Sequence, residues 1–115
     1  MKREFIYAQH FDKCWEALGL SDEQLSELEK MILERPDVGN LIQGTGGLRK
    51  VRFATGNKGK SGSIRVLYVD FEIYKTTSFL FAYPKSELEN ITDKQKQQFR
   101  NLIDSILNGL KQAKG

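Results

Sequence analysis

The residues with the clearest chemical potential are six cations that lie in one segment without a compensating acid. Between residues 38 and 69 the chain contains no aspartate and no glutamate, and it holds seven of the ten glycines. The cations of this segment are Arg49, Lys50, Arg52, Lys58, Lys60 and Arg65. Because a cationic surface attracts polyanions and glycine lets a backbone approach a ligand closely, a phosphate-rich partner is expected. RNA or DNA is the first candidate, and an acidic protein is the alternative.

Two other kinds of site can be tested against the sequence, a nucleotide-binding loop and a metal centre. The tripeptide at 59–61 matches the end of a P-loop, but Ala54 stands where that motif needs its first glycine. A strand rather than a phosphate-binding helix is also predicted to follow. The one histidine, His10, and the one cysteine, Cys14, are too few to make a metal centre. We therefore expect no cofactor and no metal, and any catalysis would have to use Lys, Arg and Tyr side chains.

Length and composition indicate the general class of protein. The chain has 115 residues, of which 39% are hydrophobic, so one domain over residues 1–115 with a single core is expected. No apolar run approaches the roughly 20 residues that a membrane span requires, and the first residues do not resemble a signal peptide. The single cysteine, Cys14, fits a reducing compartment. These features predict a cytoplasmic protein with no membrane partner.

The elements that must position the cations begin with a short strand and two helices. Residues 4–8 form an apolar, β-prone run, and apolar residues then recur at helical spacing until Gly19. Ser21 and Gln24 form a capping box at the start of a second helix, and Pro36 prevents that helix from continuing. The pattern predicts two antiparallel helices joined by a tight turn.

Three strands and a last helix follow. The predicted strands cover residues 48–54, 63–73 and 78–83, with a turn at 75–77. Their short connections favour an antiparallel meander. Thr92 and Gln95 form a second capping box, which opens a C-terminal helix with an apolar face. The predicted fold is therefore α+β, an antiparallel sheet packed with helices in the order β-α-α-β-β-β-α.

Alternation along the strands predicts which candidate residues share a face. Lys50 and Arg52 project to one side of their strand, whereas Val51 points to the other. Tyr83 and Lys85, two positions apart, could likewise share a side. Their alternatives are a half-buried strand aromatic and an ordinary turn lysine. The other large aromatics are predicted to fill the core: Trp15, Phe71, Phe79 and Phe81.

Three segments together resemble a known family. GTGGLRKVRFA, KGKSGSIRVLY and FAYPKSELENIT, within the block from Gly44 to Thr92, are similar to RelE-like toxins, in particular the HigB branch. The resemblance implies the toxin half of a bacterial toxin–antitoxin pair, which acts as an endoribonuclease that enters the ribosomal A site and cuts mRNA. It implies a cognate antitoxin, a small helix-turn-helix protein, and the 70S ribosome with its mRNA as partners.

The same resemblance implies roles for individual residues. In such toxins the 2′-hydroxyl of RNA attacks the adjacent phosphate, and Lys, Arg and Tyr side chains move protons and neutralise charge. Lys50 and Arg52 match paired basic positions on a strand, and Arg65 matches the arginine expected to grip the phosphate. Lys85 falls where the family has a basic residue after its last strand. Tyr83 is the candidate for stacking or proton transfer.

Some roles and two alternative functions stay open at this point. Arg49, Lys58 and Lys60 are expected to bind RNA. Some family members carry a tyrosine where this chain has Asn90, Ile91 and Thr92, so the general acid and the general base are not assigned. A non-catalytic RNA- or ribosome-binding module would use the same cations without the chemistry. A gyrase-directed toxin on the same fold would lack the ribonuclease residues.

Overall fold

The computed structural model describes residues 2–56, 63–87 and 90–114, and these residues form five strands and three helices. The elements are β1 (Glu4–Tyr7), α1 (Gln9–Ala17), α2 (Asp22–Glu34), β2 (Asn40–Leu41), β3 (Leu48–Ala54), β4 (Ser63–Phe71), β5 (Thr76–Pro84) and α3 (Asp93–Lys114). Single 3₁₀ turns follow β4 and β5, at Glu72–Tyr74 and Lys85–Glu87. The predicted strand 63–73 was too long, since β4 ends at Phe71. The turn predicted at 75–77 was placed too late, because the chain already turns in the 3₁₀ segment Glu72–Tyr74.

The sheet has the strand order β1-β5-β4-β3-β2. The predicted antiparallel meander of β3, β4 and β5 is confirmed, as is the α+β class. Two features were not predicted. β1 pairs with β5 in parallel, so the sheet is mixed, and the two-residue strand β2 adds an edge next to β3. A two-residue strand inside a glycine-rich connection has no alternation from which it could be recognised.

Both predicted capping boxes are present. The Gln24 amide donates to Ser21 Oγ at 3.2 Å and the Ser21 amide donates to Gln24 Oε1 at 2.9 Å. At the start of α3 the Gln95 amide donates to Thr92 Oγ1 at 3.1 Å, and the Thr92 amide donates to Gln95 Oε1 at 2.9 Å. Gln24 Nε2 also donates to the Thr55 carbonyl at 3.3 Å, which joins α2 to the end of β3. No helix within residues 2–56, 63–87 and 90–114 has the length and apolar character of a membrane span.

Each face of the sheet carries its own core, so the expectation of a single core is wrong. The face covered by α1 and α2 buries Phe11, Trp15, Leu28, Ile32, Val51, Phe53, Ile64, Val66, Tyr68 and Phe79. The face on which α3 lies buries Leu48, Leu67, Val69, Phe71, Leu80, Tyr83 and Ile103. Trp15, Phe71 and Phe79 are buried as predicted, whereas Phe81 is only half-buried. We refer to the two sides as the α1/α2 face and the α3 face.

A β-bulge in β5 decides which aromatic side chains reach the α3 face. Phe81 pairs with Leu67 and Phe79 pairs with Tyr68, so Leu80 is an extra residue on β5. Phe79 consequently packs on the α1/α2 face, while Phe81 and Tyr83 turn to the α3 face. Bulges often re-aim side chains in this way beside functional sites.

Ion pairs join the residue before β1 to β4 and its 3₁₀ turn, and the end of α3 to β1. The buried Arg3 guanidinium is bonded to the Asp70 carboxylate and, at 2.9 Å, to Glu72 Oε2. At the end of α3, Lys114 Nζ bonds Glu4 Oε1 at 2.6 Å. The buried Arg3–Asp70 pair thus joins the N-terminal segment to β4, and the more exposed Lys114–Glu4 pair joins the end of α3 to β1.

Replacing Tyr68 by phenylalanine should lower the free energy of unfolding by about 2–3 kcal/mol, since two backbone groups would lose their partner. Tyr68 is fully buried; its hydroxyl donates to the Pro36 carbonyl at 2.8 Å and accepts from the Gly39 amide at 2.9 Å. A Cβ at Gly39 would lie 2.8 Å from Tyr68 Cε1, so this close approach requires glycine. Urea denaturation measures the effect. The less buried Tyr74 is the matched control, and a loss as large in Tyr74→Phe would contradict the explanation.

Candidate functional site

Three polar side chains form one line across the three central strands of the sheet, β3, β4 and β5. Arg52 on β3 lies opposite Arg65 on β4, and Arg65 lies opposite Tyr83 on β5. Directly opposite residues project from the same face, with Cβ atoms about 4.5–5.5 Å apart. The face is that of α3, because Tyr83 packs in the core of that face. We call Arg52, Arg65 and Tyr83 the cationic row.

Lys50 lies beside the cationic row. It is two residues before Arg52 on β3 and therefore projects from the same face. Its cross-strand partner is Leu67, whose own partner on β5 is Phe81. The sheet thus brings together Lys50, both arginines and Tyr83, as the sequence predicted for Lys50 and Arg52.

The cationic row contains an unfavourable charge pair. Arg52 and Arg65 are direct cross-strand neighbours, an arrangement that is destabilising for like charges. The ion pairs found within the described part of the chain involve Arg3, Arg35, Lys75 and Lys114, and none involves Lys50 or the row. A bound anion would relieve this repulsion, so the arrangement favours anion binding.

The Arg65 guanidinium is the group in the row that most strongly indicates anion binding. Its Nη1 atom is buried, and no group in residues 2–56, 63–87 or 90–114 accepts a hydrogen bond from it. A buried charged donor without a partner is costly. Arg3 shows the usual solution in the same protein, since its side chain is 4% exposed but bonds two carboxylates. Within the described residues Arg65 therefore carries an unsatisfied buried donor beside Arg52, and the planar shape of its guanidinium suits the oxygens of a phosphate.

Tyr83 is only 2% exposed. Burial raises the pKa of its phenol, and the positive charge of Arg65 offsets part of that rise. The phenol therefore stays protonated at neutral pH. A ring so deeply buried has little free surface on which a nucleobase could stack. Of the two roles expected for Tyr83, stacking is thus disfavoured by the burial of the ring.

The remaining predicted site residues are not all brought together. Lys85 is exposed in the 3₁₀ turn that follows β5, two residues beyond Tyr83. Arg49 belongs to the α1/α2 face, where its Nη1 donates to the carbonyls of Gly39 at 2.7 Å and Asp37 at 3.3 Å. Its guanidinium is thus engaged with the backbone before β2. Lys58 and Lys60 lie outside the described residues.

The site offers anion-binding groups and no set of metal ligands. Across the described residues, no group of three or more His, Cys, Asp or Glu side chains is placed to hold a metal ion. The charged side chains near the row include Lys50, Arg52 and Arg65, and the carboxylate Glu87 shares a cleft with Tyr83. What the arrangement can do chemically is to bind an anion and, through Tyr83, supply a proton beside it.

Sequence reasoning missed three residues next to the row. Phe81 was assigned to the core, His10 was treated as a structural or surface residue, and Gln95 was recognised only as a cap. In the structure these three line a cleft between β5 and α3, and Phe81 and Gln95 also line a second cleft that includes Tyr83. Their proximity depends on the bulge in β5 and on the docking of α3, and neither leaves a signal in the sequence.

The raised pKa values of the two buried tyrosines predict how stability depends on pH. Burial raises the pKa of both Tyr68 and Tyr83, so the unfolded chain releases these protons at lower pH than the folded chain. The free energy of unfolding should therefore fall as the pH rises above about 10, the ordinary tyrosine pKa. Urea denaturation between pH 8 and 11 measures this. Tyr83→Phe should show a shallower fall than wild type, and equal slopes would contradict the assignment.

The sequence and the fold of this chain are similar to those of known toxins. The family model for the RelE toxin of the RelE/RelB toxin–antitoxin system matches residues 3–114. A mutant of the E. coli toxin RelE in the free state is similar, with a TM-score of 0.56 and 18% identity, over 77% of this chain and 90% of that chain. The intact E. coli RelBE toxin–antitoxin complex gives a TM-score of 0.52 and 18% identity, over 72% of this chain and 96% of that chain. At such low identity the two structures establish the fold alone.

Proposed function

Because the chain belongs to the RelE toxin family, whose model matches residues 3–114, we propose that it is an endoribonuclease that cuts mRNA in the ribosomal A site. The observation that carries this proposal is the cationic row, in which the buried Nη1 of Arg65 has no acceptor within the described residues. A row of two arginines and a protonated tyrosine matches the needs of phosphoryl transfer, in which negative charge develops on a phosphate and a leaving oxygen must be protonated.

The proposed reaction is an attack by the 2′-hydroxyl of RNA on the adjacent phosphorus. The new bond joins the 2′-oxygen to phosphorus and the bond from phosphorus to the 5′-oxygen breaks, which leaves a 2′,3′-cyclic phosphate and a 5′-hydroxyl. Arg65 and Arg52 bind the non-bridging phosphate oxygens and stabilise the charge that develops on them. Tyr83 donates a proton to the leaving 5′-oxygen. Lys50 lies beside Arg52 on β3 and Lys85 lies two residues beyond Tyr83, and one of these two lysines accepts the proton of the 2′-hydroxyl.

The partners and the setting of this reaction are part of the proposal. The solved RelBE structure is a toxin–antitoxin complex. We propose a cognate antitoxin for this chain as well, a small helix-turn-helix protein, together with the 70S ribosome and its mRNA. The reaction would take place in the cytoplasm. The protein would consist of a single domain over residues 1–115, and it would belong to the HigB-like branch of the family. Lys58 and Lys60 would contribute contacts with the RNA backbone outside the reacting phosphate. Arg49 would not, because it lies on the opposite face and its guanidinium is bonded to backbone carbonyls.

A translation extract with a defined mRNA tests the proposal. Purified protein should produce new 5′ ends within coding codons, read by primer extension, and should leave the same mRNA intact when ribosomes are omitted. A 2′-O-methyl group on the nucleotide before the cut should abolish cleavage there, because the attacking hydroxyl is blocked. Cleavage that persists at the methylated nucleotide would contradict the proposed reaction.

The same experiment separates the alternative functions. Binding to ribosomes without any new 5′ ends would favour a non-catalytic RNA- or ribosome-binding module. Inhibition of a purified topoisomerase, with translation unaffected, would favour the gyrase-directed toxin. A gene for a small helix-turn-helix protein beside this one would support the proposed antitoxin.

A further inference from the structure

Two adjoining clefts lead away from the cationic row on the α3 face. The first, of about 290 Å³, is lined by Phe81, Tyr83, Glu87 and Gln95. The second, of about 280 Å³, is lined by His10, Phe81, Gln95, Gln98, Phe99 and Leu102. The two clefts share the walls Phe81 and Gln95 and therefore adjoin, and we call them together the α3 groove. It begins at Tyr83, the β5 end of the cationic row, and ends at the start of α1.

A series of aromatic rings runs along the α3 groove. The ring centroids of Tyr83 and Phe81 are 5.4 Å apart at an interplanar angle of 30°. Those of Phe81 and His10 are 5.1 Å apart at 6°, so these two rings are nearly parallel. β1 pairs with β5 only as far as Phe79, and the Ala8 amide donates to the Phe79 carbonyl at 2.9 Å. The first residues of α1 therefore lie along the free edge of β5, with the exposed His10 over Phe81.

Polar amides face the same space from α3. Gln95 Oε1 accepts from the Thr92 amide at 2.9 Å, which fixes the side chain and leaves its amide nitrogen as a donor. Gln98 is exposed one turn later and has both a donor and an acceptor. Phe99 and Leu102 supply an apolar wall between them. Flat rings, an apolar wall and amide groups are the features that proteins use to bind an unstacked nucleobase.

We propose that the α3 groove binds the base of a nucleotide adjoining the phosphate held by Arg52 and Arg65. The proposal rests on the proposed function for the identity of that phosphate, but it does not depend on cleavage. The continuity of the groove with the cationic row identifies the occupant. A ligand that places an anion against Arg65 and a flat, polar ring against Phe81 is a nucleotide within single-stranded RNA.

Binding of two short oligonucleotides tests the proposal. The first is a 2′-O-methyl RNA tetranucleotide, which cannot be cut by its own hydroxyl, and the second is an abasic chain with the same number of phosphates. Their affinities for the protein are measured by fluorescence anisotropy at constant low salt. His10→Ala and Gln98→Ala change only exposed side chains, so the fold should be retained. His10→Ala should weaken binding of the base-containing RNA roughly tenfold, and Gln98→Ala several-fold, without changing the abasic affinity.

The chain provides a matched control for each variant. Gln9→Ala alters the neighbour of His10 on α1, and Gln97→Ala alters the neighbour of Gln98. The Nε2 of Gln97 donates to Asn101 Oδ1 at 3.0 Å. Both controls should bind both oligonucleotides as the wild type does. The proposal is overturned if His10→Ala and Gln98→Ala leave the base-containing RNA unaffected, or if they weaken both oligonucleotides equally. It is also overturned if wild-type protein, up to millimolar RNA, shows no preference for the base-containing chain.

The outcome can be separated from that of the proposed function. Arg65→Ala should weaken both oligonucleotides, since it removes a phosphate contact. If base-dependent binding is observed but no ribosomal cleavage occurs, the groove stands and the endoribonuclease proposal fails. If cleavage occurs without base-dependent binding, the groove proposal fails alone.

Discussion

Arg65→Ala is expected to lower ribosome-dependent mRNA cleavage by about 10²- to 10³-fold, the usual effect of removing one donor that stabilises developing negative charge. The guanidinium lies in the centre of the cationic row, opposite both Arg52 and Tyr83, and its buried Nη1 has no acceptor among the described residues. Primer extension on a defined mRNA in a translation extract gives the rate. In cells, expression of the variant without an antitoxin should no longer arrest growth.

The same position should show the opposite effect on stability. Arg65 places an unpaired cation beside Arg52, so an apolar side chain of similar length removes both repulsion and desolvation cost. Arg65→Met should therefore raise the free energy of unfolding by about 1 kcal/mol while cleavage is lost. Urea denaturation measures this change. A variant that is more stable and less active cannot have lost its activity through unfolding.

Two further variants control the interpretation. Arg35→Ala removes the same charge from a side chain that is 72% exposed and lies after α2, so cleavage should be unchanged. Arg65→Lys keeps the charge but lacks the planar donor pair, and it should recover only part of the activity. If growth arrest and cleavage survive in the double variant Arg52→Ala, Arg65→Ala, the cationic row is not the reacting site.

The sequence was sufficient to predict the parts of the site that lie on one strand. Lys50 and Arg52 share a face because strand side chains alternate, and this rule needs no information about neighbouring strands. The capping boxes at Ser21 and Thr92 were equally local, since donor and acceptor are three residues apart. Alternation also places Arg49 on the face opposite to Lys50, although a count of charges along the segment treats the two as one cluster.

The other half of the site depends on pairing between strands. In a regular strand Phe79, Phe81 and Tyr83 would all share one face, and the extra residue Leu80 is what separates them. Whether a strand bulges is decided by its partner, here at the step from Leu67 to Tyr68. The alignment of Tyr83 with Arg65, and the exposure of Phe81 to the α3 groove, therefore could not be predicted from the run SFLFAY alone.

Tyr83→Phe separates phosphate binding from proton transfer. The substitution removes one hydroxyl and keeps the buried ring, so the fold and the affinity for RNA should be retained. If the phenol protonates the leaving 5′-oxygen, the rate of cleavage should fall by about 10²- to 10⁴-fold. Single-turnover cleavage of mRNA in programmed ribosomes isolates this step. Tyr74→Phe, which removes a hydroxyl from the 3₁₀ turn after β4, should cleave at the wild-type rate.

The pH dependence gives a second, independent test of this role. Burial raises the pKa of Tyr83, so its phenol keeps the proton at every pH that the ribosome tolerates. At any pH below about 10, therefore, loss of this proton should not reduce the wild-type rate of cleavage. In Arg65→Met the charge that offsets this rise is gone, so the pKa of Tyr83 should move higher still. A Tyr83→Phe variant that cleaves at the wild-type rate would exclude Tyr83 as the acid. The proton would then have to come from a flanking lysine, with Lys85→Met as the next variant, because it keeps an aliphatic chain of similar length without the ammonium group.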